Sequence, residues 1–220
     1  MRQTGLNVAC VMVSVFLAGS FAAGPTVAEP HPASRDPAKA PAGSYVLDKS
    51  HASLTMTLSH MGMSHYTMRF DRFDAHFDYD PANPEASRVD VDVDANSLDV
   101  GDPGISRRFA REFLAADRAP KITFVSTAIS RTPPAATEGG EAADPPVTGV
   151  VTGDLTFRGV TRPVSLQVVF NGTGPGLLGG HRMGFSASGD LKRSDFGSHD
   201  WEGAVGDDIH LAIEVEFRRR

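Results

Sequence analysis

Cysteine is almost absent from this chain of 220 residues, in which the one cysteine is Cys10. It lies in an apolar run from Leu6 to Phe21, and its neighbours do not form a lipoprotein cleavage site. If the run is removed on export, no thiol remains, which excludes disulfides and thiolate chemistry. We therefore expect the stability of the fold to come from packing.

The N-terminal run predicts a secretory signal peptide over residues 1–28. Arg2 precedes the apolar residues, and small residues end near Ala28, which is the layout of such signals. The run is shorter than the roughly 20 residues of a membrane-spanning helix. We therefore expect a periplasmic or secreted protein with no stable membrane insertion. Residues 29–43, rich in proline and alanine, predict a disordered linker, and residues 44–220 form one domain.

Basic residues are too few and too scattered for a nucleic-acid partner. The formal net charge is −6, and the one basic run is the C-terminal Arg218–Arg220, which we interpret as a solvated end. Polar aromatic residues are also scarce, with three tyrosines and one tryptophan against thirteen phenylalanines. Phenylalanine supplies a large apolar side chain, whereas tyrosine and tryptophan carry a polar group that needs a hydrogen-bond partner when buried.

Catalytic motifs are missing as well. Serine, histidine and aspartate occur, but without a nucleophile elbow. Asp195-Phe-Gly197 resembles the magnesium motif of kinases, yet no phosphate loop or catalytic loop accompanies it, so we interpret it as a turn. Asp154, Arg158 and Arg162 are interpreted as a surface charge cluster. We expect a protein that is not an enzyme and has no cofactor.

Alternation of apolar and polar residues after residue 44 predicts β-strands. The clearest strand alternates valines with aspartates from Val89 to Asp94, so one face is buried and the other wet. Near Asp71 the apolar positions change from even to odd, as a β-bulge would cause. The apolar positions define eight strands, Leu54–Leu58, Met68–Tyr79, Val89–Val93, Ile122–Phe124, Val151–Phe157, Val164–Val168, Met183–Leu191 and Ile209–Phe217.

One helix interrupts the strands. Asp102 is a good N-cap and Pro103 a good first residue, and Ile105, Phe109 and Phe113 recur every four residues as an apolar stripe. The segment from Thr132 to Pro146 predicts a mobile loop. The fold class is therefore all-β, an eight-stranded antiparallel lipocalin-like barrel with one short inserted helix. A two-sheet sandwich fits the strand count equally well.

The amino-acid sequence of one hairpin resembles that of a known family. Val151 to Leu166 contains Gly-Asp-Leu-Thr-Phe-Arg-Gly-Val-Thr-Arg-Pro-Val, which is similar to the hairpin typical of YceI-like proteins, a family of periplasmic lipid- or polyisoprenoid-binding barrels. The resemblance runs from Tyr45 to Phe217. Other similar segments, in the same order, are Tyr45–His51, Ser59–Gly62, Phe70–Phe73, Tyr79–Pro81, Ser97–Asp99, Pro120–Phe124, Arg193–Gly197 and Val205–Asp208.

The resemblance implies an elongated apolar cavity that holds a long-chain amphiphile, such as a polyisoprenoid, an isoprenoid quinone or a fatty-acyl lipid. Burying one CH₂ group contributes roughly 0.8 kcal/mol, so a few isoprene units supply a large gross stabilisation. We therefore expect binding and sequestration or transport of such a lipid without catalysis. The residues leave open whether the chain forms a homodimer.

The candidate ligand-binding residues are those expected to face the interior: Leu54, Met56, Leu58, His60, Phe70, Phe73, Phe113, Phe124, Leu155, Phe157, Phe185 and Phe196. Each of them could instead pack an ordinary core, because a barrel of this size is either filled or holds one small ligand. His51 and His60 could contact a polar head group at a cavity mouth, or make structural hydrogen bonds at strand ends.

The chain departs from the family pattern at several positions. Met68 and Ala75 stand where glycines are usual, Ala119 replaces a tyrosine, and the pair Arg107-Arg108 replaces a His-Leu pair. These changes leave the fold intact. They leave open whether the family's ligand fits at the end of the barrel where the helix lies.

An exported copper(I)-binding protein is the alternative function. His60, Met61, Met63 and His65 lie close in sequence, with Met56 and Met68 nearby, and soft thioether and imidazole ligands suit copper(I). Strand alternation weakens this alternative because it points these side chains to opposite faces. We therefore assign no metal ligand. A scaffold with a fully packed interior is the third interpretation.

The lumen hypothesis predicts that a charged residue at Phe124 or Phe157 abolishes lipid uptake, because a charge is strongly disfavoured among apolar side chains. Native mass spectrometry of the protein with offered lipid measures the uptake. A folded variant with unchanged uptake would remove that residue from the lumen.

Overall fold

The computed structural model describes residues 33–132, 147–176 and 179–220. The expected signal peptide with Cys10, the start of the expected linker and the loop residues 133–146 lie outside this part. The described strands and α-helix are, in chain order, β1 Gly43–His60, β2 Ser64–Phe70, β3 Phe73–Tyr79, β4 Val89–Asp94, β5 Leu98–Asp99, α1 Pro103–Glu112, β6 Lys121–Thr132, β7 Val147–Phe157, β8 Val160–Pro175, β9 His181–Lys192 and β10 Val205–Arg219. Within the described ranges, no helix is long and apolar enough to cross a membrane.

Eight strands close into an antiparallel barrel. They follow the order β10-β9-β8-β7-β6-β4-β3-β1, and β1 pairs again with β10 to complete the ring. β2 and β5 are additional, because β2 pairs with the second half of β1 and β5 with the end of β2. The closed ring confirms the predicted barrel, whereas a sandwich would leave sheet edges unpaired.

The predicted shift of apolar positions near Asp71 marks a break between strands. β2 ends at Phe70 and β3 begins at Phe73, and the two strands pair with different halves of β1. Met68 in β2 and Ala75 in β3 are both buried. Even positions therefore face the interior before the break, and odd positions face it after the break. The expected single bulged strand is therefore two strands.

Two clusters of buried side chains lie at the two ends of the barrel interior. We call the end beside α1 the helix end and the opposite one the far end. The helix-end cluster includes Met56, Leu58, Met68, Phe70, Phe113, Phe157, Phe196 and Ile209. The far-end cluster includes Tyr45, Leu47, Phe77, Tyr79, Phe170, Met183 and Phe217. In the far-end cluster, the ring of Phe77 stacks on Tyr45 at 5.2 Å and meets Phe217 edge-on at 4.9 Å.

The helix begins as the sequence predicts. Asp102 Oδ1 accepts hydrogen bonds from the backbone N–H groups of Gly104 and Ile105, both at 2.8 Å, which is the N-cap arrangement. The predicted apolar stripe is only partly buried, because Phe113 is 4% exposed but Ile105 is 44% exposed. The buried face of α1 instead includes Ala110, a small residue that lets the helix pack closely.

Arg158, at the turn of the family-like hairpin, is not the surface charge that the sequence suggested. Its Nη1 donates to the carbonyl oxygens of Glu112 and Phe113 at 2.9 and 2.7 Å, and its side chain is 11% exposed. A cation at these carbonyls satisfies the C-terminal end of α1 and complements the helix dipole. The hairpin therefore fastens the helix over the barrel.

Residues 33–42, which fall within the expected disordered linker, have a defined conformation at the far end. Ser34 and Thr173 exchange both backbone hydrogen bonds, at 2.7 and 2.8 Å, and Ala40 is 1% exposed. The Tyr79 hydroxyl donates to the carbonyl oxygen of Pro37 at 2.8 Å. Proline carbonyls remain acceptors although the ring lacks an N–H, so a proline-rich segment can still bind the barrel. We call residues 33–42 the N-terminal strap.

Replacing Arg193 by methionine should destabilise the helix end. Arg193 is 2% exposed and donates to the carbonyl oxygens of Ser198, Asp200 and Gly206 at 2.8 to 3.0 Å. Because the substitution leaves these acceptors without donors, we expect a loss of about 3 kcal/mol in the free energy of unfolding. Urea unfolding measures it, with the exposed Arg162→Met as the control. An equal midpoint for both variants would contradict this role.

Candidate functional site

An apolar cavity of about 230 Å³ occupies the interior toward the far end. All eight barrel strands contribute to its lining, which includes Leu54, Phe73, Ala75, Phe77, Tyr79, Val89, Val91, Phe124, Val151, Leu166, Val168, Phe170, Met183, Phe185, Ala187, Ile213, Val215 and Phe217. The cavity suits a flexible apolar chain, because a preformed apolar space is most favourably filled by an apolar group.

The family-like hairpin makes room for one wall of this cavity. A Cβ atom at Gly153 would lie 2.5 Å from Cζ of Phe124 and 2.5 Å from the carbonyl oxygen of Val125. Such contacts are too short for any residue with a side chain, so glycine lets the Phe124 ring lie flat across β7. Phe124 is 8% exposed and lies against the cavity.

A register shift in β6 places different side chains at the cavity mouth from those that alternation predicts. Ser126 pairs with Gly153 and Ala128 with Thr152, so β6 carries one extra residue. A bulge of this kind reverses which positions face inward. Ile129 and Arg131 therefore line the cavity although they are odd positions, while Phe124 is even.

The polar side chains of the lining lie together at the far end of the cavity, its mouth, although the surface that the cavity exposes is almost entirely apolar. The residues that line it there are Pro37, Tyr79, Pro84, Ser87, Ser130, Arg131 and Thr148. Burial raises the pKa of the Tyr79 hydroxyl, and the nearby Arg131 partly offsets this rise. Tyr79 is therefore a neutral donor at neutral pH, and its hydrogen bond to Pro37 holds the N-terminal strap beside the mouth.

Some of the twelve predicted ligand-binding residues line the cavity, and most of the others belong to the packed core. Leu54, Phe73, Phe124 and Phe185 line the cavity. The other apolar candidates belong to the helix-end cluster or pack against it, namely Met56, Leu58, Phe70, Phe113, Leu155, Phe157 and Phe196. Those seven side chains fill the barrel beside α1, so their part in ligand binding rests on the sequence alone.

Neither histidine proposed for a head group lies at the mouth. His60 is at the helix end, where its ring centre is 6.1 Å from that of Tyr66. The exposed His51 places Nδ1 3.1 Å from Oδ2 of Asp48, which fits the structural alternative. The cavity residues that the candidate set missed include Phe77, Tyr79, Phe170, Met183 and Phe217. Most of them lie on predicted strands, but alternation does not show at which level a barrel stays open.

Residues 45–217 match the profile of the YceI-like domain family. The chain belongs to the YceI-like family. It is 38% identical over 181 residues to a UPF0312 protein of Pseudomonas putida GB-1, a match that covers 81% of this chain and 88% of the relative.

Solved structures of the same fold include a YCEI protein of Campylobacter jejuni, with a TM-score of 0.59, 28% identity and coverage of 74% of this chain and 90% of that one. A polyisoprenoid binding domain from Saccharophagus degradans also has a TM-score of 0.59, at 15% identity, covering 80% of this chain and 98% of that one. At that identity, the second likeness shows the fold alone.

Two of the positions at which the resemblance led us to expect glycine lie on the inner wall. Met68 is 2% exposed, is opposite Met56 in the β1–β2 pairing and belongs to the helix-end cluster. Ala75 lines the cavity. A methionine at position 68 fills space that a glycine would leave, so this side chain helps to close the helix end.

The Met/His segment of the copper alternative does not converge. Met61 and Met63 are 59% and 74% exposed at the β1–β2 turn, whereas Met56 and Met68 are buried. In the described ranges, one group of His, Asp and Glu side chains clusters closely enough for a metal, Asp48 with His51 and Glu216.

That cluster already has a cationic partner within the protein. Arg182 forms ion pairs with both Asp48 and Glu216. Hydrogen bonds from Ser50 and from Arg182 hold the pKa of the Asp48 carboxyl well below its usual range. The Asp48 charge therefore has a protein partner, and the cluster is explained as an ion-pair network.

Filling the cavity should block ligand uptake without unfolding the protein. Ala187 lines the cavity, so Ala187→Phe places a ring in existing space, and we expect it to cost less stability than the about 1–3 kcal/mol of overpacking a full core. Binding of a polyene fatty acid, followed by its fluorescence, should be lost. The matched control is Ala128→Phe on the exposed outer face, which should bind normally. Equal binding by both variants would show that the ligand lies elsewhere.

Proposed function

We propose that this protein binds a long-chain amphiphile with its tail in the barrel cavity, as a non-catalytic carrier or sequestering protein. The observation that carries the proposal is the cavity itself, whose exposed surface is almost entirely apolar and whose few polar side chains lie at the mouth. A polyisoprenoid, an isoprenoid quinone and a fatty-acyl lipid all have this division between tail and head. The polyisoprenoid binding domain of the same fold supports a ligand of this class.

The size of the cavity determines how much the tail contributes. Each methylene group buried in the cavity yields about 0.8 kcal/mol. Association costs about 4–15 kcal/mol in lost translational, rotational and side-chain freedom. The number of buried methylene groups must be large enough to offset this cost, so the length of the tail and the head-group contacts at the mouth together decide the affinity.

The chemistry of the lining supports binding over catalysis. Among the described residues that line the cavity, the titratable side chains are Tyr79 and Arg131, both at the mouth. General acid–base catalysis needs a group whose pKa lies near the working pH, and a tyrosine with a raised pKa beside an arginine does not supply one.

We also propose that the protein works in the periplasm or outside the cell, as the N-terminal run of apolar residues suggests. Intact-mass measurement of the protein recovered from a periplasmic extract tests this proposal. Loss of about the first 28 residues is the expected result, whereas a full-length chain in the cytoplasmic fraction would oppose it.

Native mass spectrometry of the mildly purified protein tests lipid binding directly. We expect an adduct that organic solvent extracts and whose mass matches an isoprenoid or acyl lipid. Lipid-free protein should regain such an adduct when a fatty acid or a polyprenol is offered. A mass that stays that of the bare chain under both conditions would refute the proposed function.

A further inference from the structure

We propose that Arg131 and Ser87 form a binding site for an anionic head group at the cavity mouth. The ligand would then be an acidic amphiphile, with a carboxylate or phosphate head, and not a neutral alcohol or quinone. This inference rests on the proposed function of the cavity, which accounts for the tail alone. It adds the chemistry by which the protein distinguishes one amphiphile from another.

The first observation is the hydroxyl group of Ser87. Its Oγ is buried and has no hydrogen-bond partner in the described part of the chain, yet Ser87 lines the cavity. It follows a short turn, Pro84–Ala86, in the connection from β3 to β4. A buried hydroxyl without a partner is unfavourable, and a rotation of the Ser87 side chain toward the cavity would give it a ligand oxygen as acceptor.

The second observation is the position of Arg131. The bulge in β6 turns this residue toward the cavity, opposite Gly149 on β7. Among the described lining residues it is the one that carries a formal charge. A cation at the end of an apolar tube attracts an anion and leaves a neutral head group without comparable gain.

The guanidinium of Arg131 is only loosely engaged. Its Nε lies 3.9 Å from Oε1 of Glu85, and the same oxygen accepts the Arg131 backbone N–H at 3.0 Å. The Arg131 side chain is 48% exposed, so its Nη atoms can reach an incoming oxyanion. Arginine presents paired donors that match carboxylate and phosphate oxygens.

Tyr79 and the N-terminal strap also border this site, as do the carboxylates of Glu85, Asp36 and Asp80. The Tyr79 hydroxyl donates to Pro37, which leaves its oxygen free to accept but not to donate. Since an anion offers acceptors only, Arg131 and Ser87 are the donors that it would meet, while the tail extends inward toward Phe124.

Matched ligands with one ten-carbon tail test the proposal: decanoate, decanol and decyl phosphate, each titrated into lipid-free protein. We expect the wild type to bind decanoate about tenfold more tightly than decanol. Arg131→Gln should weaken decanoate binding about tenfold and decanol binding much less, so that the preference is lost. Arg131→Lys should retain part of it. Ser87→Ala should weaken decanoate binding several-fold with little effect on thermal stability.

The control is Arg88→Gln, which removes the same charge from a neighbouring residue that is 69% exposed and pairs with Asp90. It should keep the preference for decanoate. Tighter binding of decyl phosphate than of decanoate would support the site and assign phosphate as the preferred head. Equal affinities for decanoate and decanol in the wild type, or a preference that survives Arg131→Gln, would overturn the head-group site while tail binding stands. Failure of all three ligands to bind would overturn the cavity function as well.

Discussion

The pairing of β1 with β10 is the interaction on which the rest of the structure depends. It joins the two ends of the domain, from Tyr45 opposite Arg219 to His60 opposite Val205, and so converts a curled sheet into a ring without edges. Once the ring is closed, every second side chain of each barrel strand must point into the same interior. With no cysteine among residues 45–217, this closure and the packing inside it hold the fold together.

That interior is divided by the bulk of its side chains. At the helix end, Met68, Phe157 and Phe196 fill the barrel, and Arg158 fastens α1 across it through the carbonyl oxygens at the C-terminal end of the helix. Toward the far end the wall is equally apolar, but the side chains stop short of one another and leave the cavity. The helix end thus stabilises the fold, and the far end leaves space for a ligand. A small barrel can in this way be both well packed and able to hold a ligand.

The strands, the helix with its cap and the barrel could be predicted because they follow from alternation and local capping, which neighbouring residues encode. The position of the cavity along the barrel could not be predicted. Phe124 and Phe157 both follow the alternation that predicts an inward side chain, and they differ in the side chains that face them across the barrel. Arg131 was missed because the bulge in β6 reverses its direction, and nothing in the local composition marks the extra residue. The N-terminal strap was missed for a related reason, as its order depends on distant partners such as Tyr79 and Thr173.

The most direct measurement is a crystal structure with decanoate that carries bromine at its ω-carbon, with the bromine located by anomalous scattering. If the far-end cavity holds the tail, the bromine should lie beside Leu54 and Phe124, with the carboxylate at the mouth near Arg131. A bromine peak between Phe157 and α1, or on the outer surface of the barrel, would contradict the division of the lumen into a packed helix end and a ligand-binding far end.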